Sequence, residues 1–323
     1  MDMGEMRAAL YDRYGPPEVL YEGRLPTPVA GPGEVLVRVA AASVNGGELV
    51  GRAGRVRLVT AALGRGFPKR MGIDFAGTVA AVGAAASGFT VGDRVWGVVP
   101  HSFGSAAEFV AVPPGRLALA PTSVDLVQAA ALPAVGMTAI IALREKAHLM
   151  RGERLLVRGA SGGVGSIAVQ LGREHGARVT ALAGAEQLDF VRSLGAAEAF
   201  DYATTRPADL GRFDVVLNTV GTDFSAYRRL LTRNGRMVSI TFDIDHPIAS
   251  LSYIAASTVF GSRRVRFFSG NSGQELLSEL TRLVDSAAIR PIVDRVYPLD
   301  DIAGAHRALE AGGIRGKIIV QVT

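Results

Sequence analysis

Residues 154–172 read RLLVRGASGGVGSIAVQLG, and this stretch decides the fold. The apolar run at its start predicts a buried strand, the glycines predict a tight turn, and the residues that follow predict a helix. Its small residues fit the G/A-x-G-x-x-G pattern that binds the pyrophosphate of a dinucleotide at a helix N-terminus. The candidate cofactor-binding residues of this turn are Ala160, Ser161, Gly162, Gly163, Val164 and Gly165.

The segments on either side divide the chain into two patterns. Up to about residue 120, short β-branched runs bounded by glycine and proline predict a β-rich unit. From Ser123 onward, strands alternate with helices of about 10–15 residues, which predicts βαβ units and a parallel sheet. The helical pattern after Ser123 is interrupted at Pro133. The expected class is α/β, with a β-rich domain and a doubly wound, Rossmann-type parallel sheet.

The composition excludes several classes of chemistry. A chain of 323 residues exceeds the usual size of one hydrophobic core, so we expect two domains. The absence of cysteine excludes disulfides, a thiolate nucleophile, Cys-ligated zinc and iron–sulfur clusters. The start of the chain does not resemble a secretory signal, and no apolar run is long enough to span a membrane. We therefore expect a cytoplasmic protein that does not bind a membrane.

The net charge of +5 comes from 35 Lys+Arg against 30 Asp+Glu, and only three of the 35 are lysines. Such an arginine excess is explained by codon bias, and the chain has no zinc-finger spacing or RNP-like motif, so a nucleic-acid partner is not expected. Residues 52–70 contain six basic residues and no acid. This stretch is interpreted either as a solvated loop or as an electropositive rim that attracts an anionic acyl thioester.

The second strand of the βαβ unit bears on the choice of cofactor. An NAD-specific site has an acidic residue at the tip of this strand, where it binds the ribose hydroxyls. Here the strand ends in Leu182-Ala183-Gly184, and Glu186 comes two residues later. A small residue at the tip leaves room for a 2′-phosphate, so NADPH is favoured over NADH.

Five further segments follow one another along the chain in an order that is typical of a known family. They are MRAALYDRYGPPEVL at 6–20, FPKRMGIDFAGTVAAVG at 67–83, AAALPAVGMTAIIAL at 129–143, FDVVLNTVG at 213–221 and RGKIIVQV at 315–322. In this order they resemble the medium-chain dehydrogenase/reductase superfamily, and most closely its zinc-free quinone oxidoreductase (zeta-crystallin-like) branch. The resemblance implies a GroES-like catalytic domain at 1–122 and 263–323. It also implies a Rossmann domain inserted at 123–262 and a cofactor bound between the two.

The resemblance also assigns roles to individual residues. Asn45 and Thr138 would lie near the nicotinamide and are the candidate catalytic residues. Lys317 would be a terminal basic residue that reaches the 2′-phosphate. The candidate cofactor-binding residues beyond the glycine turn are Gly184, Tyr202, Asn218, Val220, Gly221, Phe242, Phe267, Phe268, Ser269 and Lys317. A homodimer through edge strands near 251–268 is implied as well.

Zinc is not expected, because zinc-dependent relatives have a cysteine at the position of Asn45 and a histidine at that of Ile73. Without a Lewis acid to stabilise an alkoxide, reduction of a quinone or an activated C=C bond is the more natural chemistry. The sequence departs from the branch at Gln187, where relatives often have a phosphate-binding lysine, and at Val50, where some have a tyrosine. It offers no obvious side-chain acid, so water would protonate the enolate.

Some alternatives remain open from the sequence. Glu48 is either a general acid or a structural partner, and Asp74 is interpreted as structural. The predicted function is an NADPH-dependent, zinc-independent reductase of quinones or α,β-unsaturated carbonyls. An enoyl-thioester reductase is the first alternative. A non-catalytic NADPH-binding protein, with an RNA-binding or structural role, is the second.

Overall fold

The structure is a computed structural model that describes residues 4–55, 66–99, 103–259, 263–268 and 273–323. The chain divides into two compact units. The first unit comprises residues 1–134, 272–287 and 291–323, and the second comprises residues 135–271 and 288–290. Each is described by itself. In the part of the chain that the structure describes, no helix is long and apolar enough to cross a membrane.

The first unit is rich in β-structure, as the short apolar runs predict. Its strands are β1 (Glu5–Tyr11), β2 (Tyr21–Pro26), β3 (Val35–Ser43), β4 (Lys69–Arg70), β5 (Asp74–Val82), β6 (Arg94–Val98), β7 (Phe109–Val112), β8 (Leu117–Leu119), β15 (Val293–Pro298) and β16 (Lys317–Gln321). Among the described residues, β2-β1-β4 form one sheet and β15-β16-β3-β5-β6-β8 form another, with β7 paired to β3. Val35, Val37 and Val39 alternate along β3 and point into the core of this unit.

The helices of the first unit connect these sheets. They are α1 (Gly46–Arg52), α2 (Leu126–Ala129), α8 (Gln274–Asp285) and α9 (Ile302–Ala311), and α3 (Pro133–Ile140) begins in this unit and ends in the second. The predicted interruption at Pro133 is confirmed, because α2 ends at Ala129 and α3 starts at the proline. Proline is tolerated at a first helical position, where its missing N–H has no intrahelical acceptor to lose.

The second unit is built on a parallel sheet. Its strands are β9 (Arg154–Arg158), β10 (Arg178–Ala183), β11 (Glu198–Asp201), β12 (Phe213–Asn218), β13 (Leu231–Ser239) and β14 (Val265–Phe267). Its helices are α4 (Gly163–Glu174), α5 (Leu188–Ser193), α6 (Phe224–Arg228) and α7 (Pro247–Val259), and a π-helical segment covers Ile141–Lys146. The strand order is β11-β10-β9-β12-β13-β14, with every pair parallel. The order reverses at β9, where open sheets of this type bind ligands at their carboxyl ends.

One observed boundary differs from that expected. The sheet of the second unit continues past residue 262, because Met237 in β13 pairs with Val265 in β14. The compact unit accordingly extends to residue 271. In the same unit, α5 is preceded by a 3-10 turn (Ala185–Gln187) and ends at Ser193.

Candidate functional site

The glycine turn connects β9 to α4, as its sequence predicts. Gly159 adopts φ +75°, and its N–H and that of Ala160 both donate to the carbonyl oxygen of Leu182 in the neighbouring strand. Gly162 is the N-cap of α4, and its carbonyl accepts the N–H of Ser166. The first N–H groups of a helix have no intrahelical acceptor, so those of the opening turn of α4 are available to an anion.

Gly162 and Gly165 of this turn have different surroundings. A Cβ at Gly165 would lie 2.1 Å from the carbonyl oxygen of Gly159 and 2.8 Å from Cα of Ala160, so a side chain there is excluded by backbone. A Cβ at Gly162 would meet only the carbonyl oxygen of Gly159, at 3.6 Å. Gly165 is therefore required by packing. Gly162 leaves an open cradle at the helix N-terminus, which fits a bound pyrophosphate.

The tip of β10 carries a small residue and no acid. Gly184 is half-buried, and a Cβ built on it would lie 3.6 Å from the ring of Tyr202, which is itself 66 % exposed. The acid on the adjacent strand is Asp201, which pairs with Ala183 across the sheet. Its carboxylate accepts from the N–H of Ala203, within its own turn, and from Thr204. The carboxylate of Asp201 is thus hydrogen-bonded within its own turn, and the tip of β10 itself has only the small Gly184.

The segment after β12 is fixed by side chains at both of its ends. Asn218 is fully buried, and its Oδ1 accepts from the N–H groups of Val220 (3.1 Å) and Gly221 (3.2 Å). Gly221 has φ +88°, and a Cβ there would lie 2.9 Å from the backbone of Phe242. Arg158, the last residue of β9, was not singled out from the sequence.

Arg158 holds the far side of this segment by charge-assisted hydrogen bonds. Its guanidinium donates to the carbonyl and to Oγ1 of Thr222 and to Oδ2 of Asp223 (2.8 Å), and it lies 4.4 Å from the ring centroid of Tyr227. An arginine directly before a glycine turn is the only signal for this role in the sequence. It could not indicate the partner, which lies about 65 residues away.

Two further stretches expected near the nicotinamide meet in the second unit. Phe242 and Phe267 pack edge to face with ring centroids 5.9 Å apart. Phe268 lies beneath Lys146, whose ammonium is 5.9 Å from the ring centroid. Ser269 lies outside the described residues. Thr138 is a half-buried residue of α3.

In the first unit, Asn45 is the centre of a polar cluster. It precedes α1 at the end of β3, and its Nδ2 donates to Glu48 Oε1 (3.0 Å), Asp74 Oδ1 (3.0 Å) and the carbonyl oxygen of Ser43 (3.2 Å). Its Oδ1 accepts from Nζ of Lys317 at 2.7 Å. This arrangement gives the amide one orientation, with oxygen toward the cation and nitrogen toward the two carboxylates.

The two carboxylates of the cluster are fully buried and bonded. Glu48 accepts from the backbone N–H of Asn45 (3.1 Å) and from that of Gly72 (2.9 Å). Asp74 accepts from Ser43 Oγ (2.6 Å) and from the N–H of Ala134 (3.1 Å). Asn45-x-x-Glu48 has the spacing of a capping box, a signal that predicts this contact from the sequence.

Burial sets the electrostatics of the cluster. It raises the pKa of Glu48 to about 7, although hydrogen bonds from Asn45 and Gly72 and the charge of Lys317 oppose the rise. Burial also lowers the pKa of Lys317, against the attraction of Asp74 and Glu48. One ammonium therefore lies among two carboxylates that compensate part of its desolvation.

The contacts of Lys317 differ from the role that the resemblance implies for it at the 2′-phosphate. Its side chain is 5 % exposed, and Nζ donates to the carbonyl oxygen of Val44 (2.6 Å) and to Asn45. Its hydrogen bonds are thus made within the first unit. The sequence failed here because it shows where Lys317 lies in β16, but not which strand runs beside it.

The amide of Asn45, a candidate catalytic residue, is bound within the protein. Both hydrogens of its amide already have acceptors within the protein. A catalytic zinc does not fit this site either. The amide oxygen is bound to an ammonium, and Ile73, which the resemblance assigns to the position of a histidine ligand, carries no donor atom.

Comparison with known proteins covers nearly the whole chain. The family model of an alcohol dehydrogenase GroES-like domain matches residues 31–122, and that of a zinc-binding dehydrogenase matches residues 194–320. A chloroplastic NADPH-dependent alkenal/one oxidoreductase of Arabidopsis thaliana is 33 % identical, over 98 % of this chain and 79 % of that protein.

Two further proteins are similar over almost their full lengths. A chloroplast envelope quinone oxidoreductase homolog of Arabidopsis thaliana is 32 % identical, over 98 % of both chains. The solved structure of the quinone oxidoreductase from Coxiella burnetii matches with a TM-score of 0.89 and 28 % identity. That match covers 99 % of this chain and 100 % of the other.

Proposed function

Because the chain belongs to the medium-chain dehydrogenase/reductase superfamily, in its zinc-free quinone oxidoreductase branch, we propose that it is a zinc-independent, NADPH-dependent reductase of quinones or α,β-unsaturated carbonyls. The first unit would be its catalytic domain and the second its nicotinamide-binding domain. The domain bounds predicted from the sequence, 123–262 for the second, would then extend to include β14.

The observation that carries the proposal is the Asn45 cluster. At the position that the resemblance assigns to a zinc-ligating cysteine, this chain has an amide whose oxygen binds the ammonium of Lys317 at 2.7 Å. Alcohol oxidation in zinc-dependent relatives depends on a metal that stabilises an alkoxide, and these donors do not fit one. Reduction of a conjugated acceptor needs no such metal, because the added negative charge delocalises onto a carbonyl oxygen.

The proposed cofactor is held by the second unit. The opening turn of α4 and the open cradle at Gly162 would bind the pyrophosphate, and the segment 218–221 would support the nicotinamide ribose. Gly184 and Tyr202 would accommodate the adenosine phosphate, which favours NADPH over NADH. When bound, the nicotinamide supplies the hydride. The chain contributes by holding the cofactor and the acceptor in register, and Thr138 is proposed to contact the nicotinamide.

Steady-state kinetics with a panel of acceptors tests the proposal. Oxidation of NADPH is followed by absorbance with quinones, enones and enoyl thioesters, with and without a chelator, and each rate is compared with the rate for NADH. We expect turnover of quinones or enones that the chelator leaves unchanged, and a higher kcat/KM for NADPH. A preference for enoyl thioesters would favour the alternative reductase. Tight NADPH binding without turnover of any acceptor would favour a non-catalytic protein.

We also propose that the protein forms a homodimer through the edge of the parallel sheet. β14 ends that sheet in the described part of the chain. Nearby, Ile248 and Leu251 on α7 are 82 % and 42 % exposed. Light scattering on the purified protein would give twice the monomer mass. The predicted cytoplasmic location stays a prediction.

A further inference from the structure

The function proposed above gives the Lys317 ammonium no part in the chemical step, although it lies against Asn45. The turn before β16 places it there. A Cβ at Gly316 (φ +73°) would lie 2.3 Å from the carbonyl oxygen of Ile292, so only glycine allows this approach. The N–H of Val44 donates to the carbonyl oxygen of Ile318, which sets the start of β16 beside the end of β3. Lys317 therefore enters the polar cluster from the adjacent strand.

The contacts of the cluster hold this charge in a single place. Lys317 Nζ donates to the carbonyl oxygen of Val44 and to Oδ1 of Asn45. Asn45 is in turn fixed by Glu48 and Asp74. An ammonium has three hydrogens, and two are used in these contacts. The position of the ammonium is thus preorganised, because it is not carried by a flexible surface side chain.

We propose that the Lys317 ammonium supplies the positive charge that stabilises the oxyanion developing on the acceptor when hydride is transferred, in place of a metal ion. This inference rests on the proposed function and deepens it. Hydride adds to the electrophilic carbon, the C=C π-pair shifts to form the new C=C bond of the enolate, and the carbonyl π-pair moves to oxygen, where the ammonium stabilises the charge. A proton from water then completes the product. Asn45, Glu48 and Asp74 act as positioning residues that hold the cation.

A fixed charge in a low-dielectric site stabilises a transition state more than the same charge in water does. Removing one such group typically lowers kcat by about 100-fold or more. Binding of NADPH should not change, because none of the cofactor contacts proposed above involves Lys317. The charge should therefore affect kcat rather than the Kd for NADPH.

The first test compares Lys317→Met with Lys317→Arg. The methionine variant keeps much of the length and loses the charge, whereas the arginine variant keeps the charge. We expect kcat for an enone to fall about 100-fold in K317M and to recover by at least about tenfold in K317R. NADPH Kd, measured by fluorescence, should stay within about twofold in both. Arg307→Met is the matched control, since it removes an exposed cation of the same unit that pairs with Glu18. Equal kcat in K317M and R307M would overturn the inference.

The pH profile provides a second signature. Lys317 must be protonated, so activity should be lost as pH rises through its lowered pKa. The groups that face it are Glu48 on α1 and Asp74 on β5, both of which oppose that lowering. In K317R this alkaline limb should disappear, because a guanidinium does not titrate in the accessible range. An unchanged limb in K317R would contradict the inference, and this result stands even if K317M does not fold.

Binding of an anionic analogue separates this inference from the proposed function. 4-Nitrophenol is titrated by absorbance in the presence of NADP⁺, since its phenolate resembles the oxyanion. We expect the bound phenol to ionise at a lower pH in wild type than in K317M, by about one pH unit. If this difference is seen but no acceptor is reduced, the proposed reductase activity is wrong and the cation site stands. If acceptors are reduced and the difference is absent, the cation site is wrong.

Discussion

Replacing Gly184 by aspartate should reverse the cofactor preference. Gly184 has φ −72° and ψ 157° and is the N-cap of a 3-10 turn, so aspartate fits the backbone without strain. Its Cβ would lie 3.6 Å from the ring of Tyr202, an ordinary contact. The substitution therefore adds a carboxylate at the tip of β10 and leaves the fold unchanged.

The size of the effect follows from two contributions. A carboxylate about 5 Å from a phosphate of charge about −2 is repelled by about 1.5 kcal/mol in a water-like environment. A charge-assisted hydrogen bond to the free ribose hydroxyl of NADH contributes about 1.5 kcal/mol. Their sum of about 3 kcal/mol corresponds to a shift of roughly 100-fold in the ratio of kcat/KM for NADPH to that for NADH.

The assay measures kcat/KM for both cofactors with one acceptor at saturation. Gly184→Asn is the uncharged control, which keeps the hydrogen bond and should shift the ratio only about tenfold. Gly184→Ala should leave it unchanged. A G184D protein with the wild-type melting temperature and an unchanged ratio would refute the reasoning, because the adenosine ribose would then not lie at this tip.

Three other predictions follow from single sites. Gly162→Ala should raise the KM for NADPH and leave the melting temperature unchanged. Gly165→Ala should lower the free energy of unfolding by about 1–3 kcal/mol, because its Cβ would lie 2.1 Å from a backbone oxygen. Equal melting temperatures of the two variants would contradict this prediction. Arg158→Gln should raise the KM for NADPH and destabilise the fold by about 2 kcal/mol, while the exposed control Arg206→Gln should leave the melting temperature nearly unchanged. His306 is buried with its pKa lowered to about 3, so the unfolded chain binds its proton below about pH 6.5 while the folded protein does not. Stability should therefore fall as pH decreases from about 6.5 toward 3, and His306→Leu should flatten that slope in denaturant titrations at several pH values.

The local elements of the site were predictable because each depends on neighbouring residues. The strand, turn and helix at 154–172 and the break at Pro133 follow from chain chemistry within a few residues. The contact between Asn45 and Glu48 has a capping-box spacing. Boundaries were less predictable, since β14 joins the parallel sheet through pairing with β13, and no local pattern encodes a strand partner.

The sequence by itself determined the class of fold, the dinucleotide turn and the absence of cysteine ligands, since these depend on residue type and short-range spacing. Only the tertiary structure decided what surrounds Asn45. Lys317 is 272 residues away along the chain and meets it because β16 pairs with β3. Because of that pairing, Lys317 lies in a buried charge cluster rather than at the expected phosphate contact. The same pairing gives the Asn45 amide a hydrogen-bond partner within the protein, because the strands that lie side by side determine which polar groups meet.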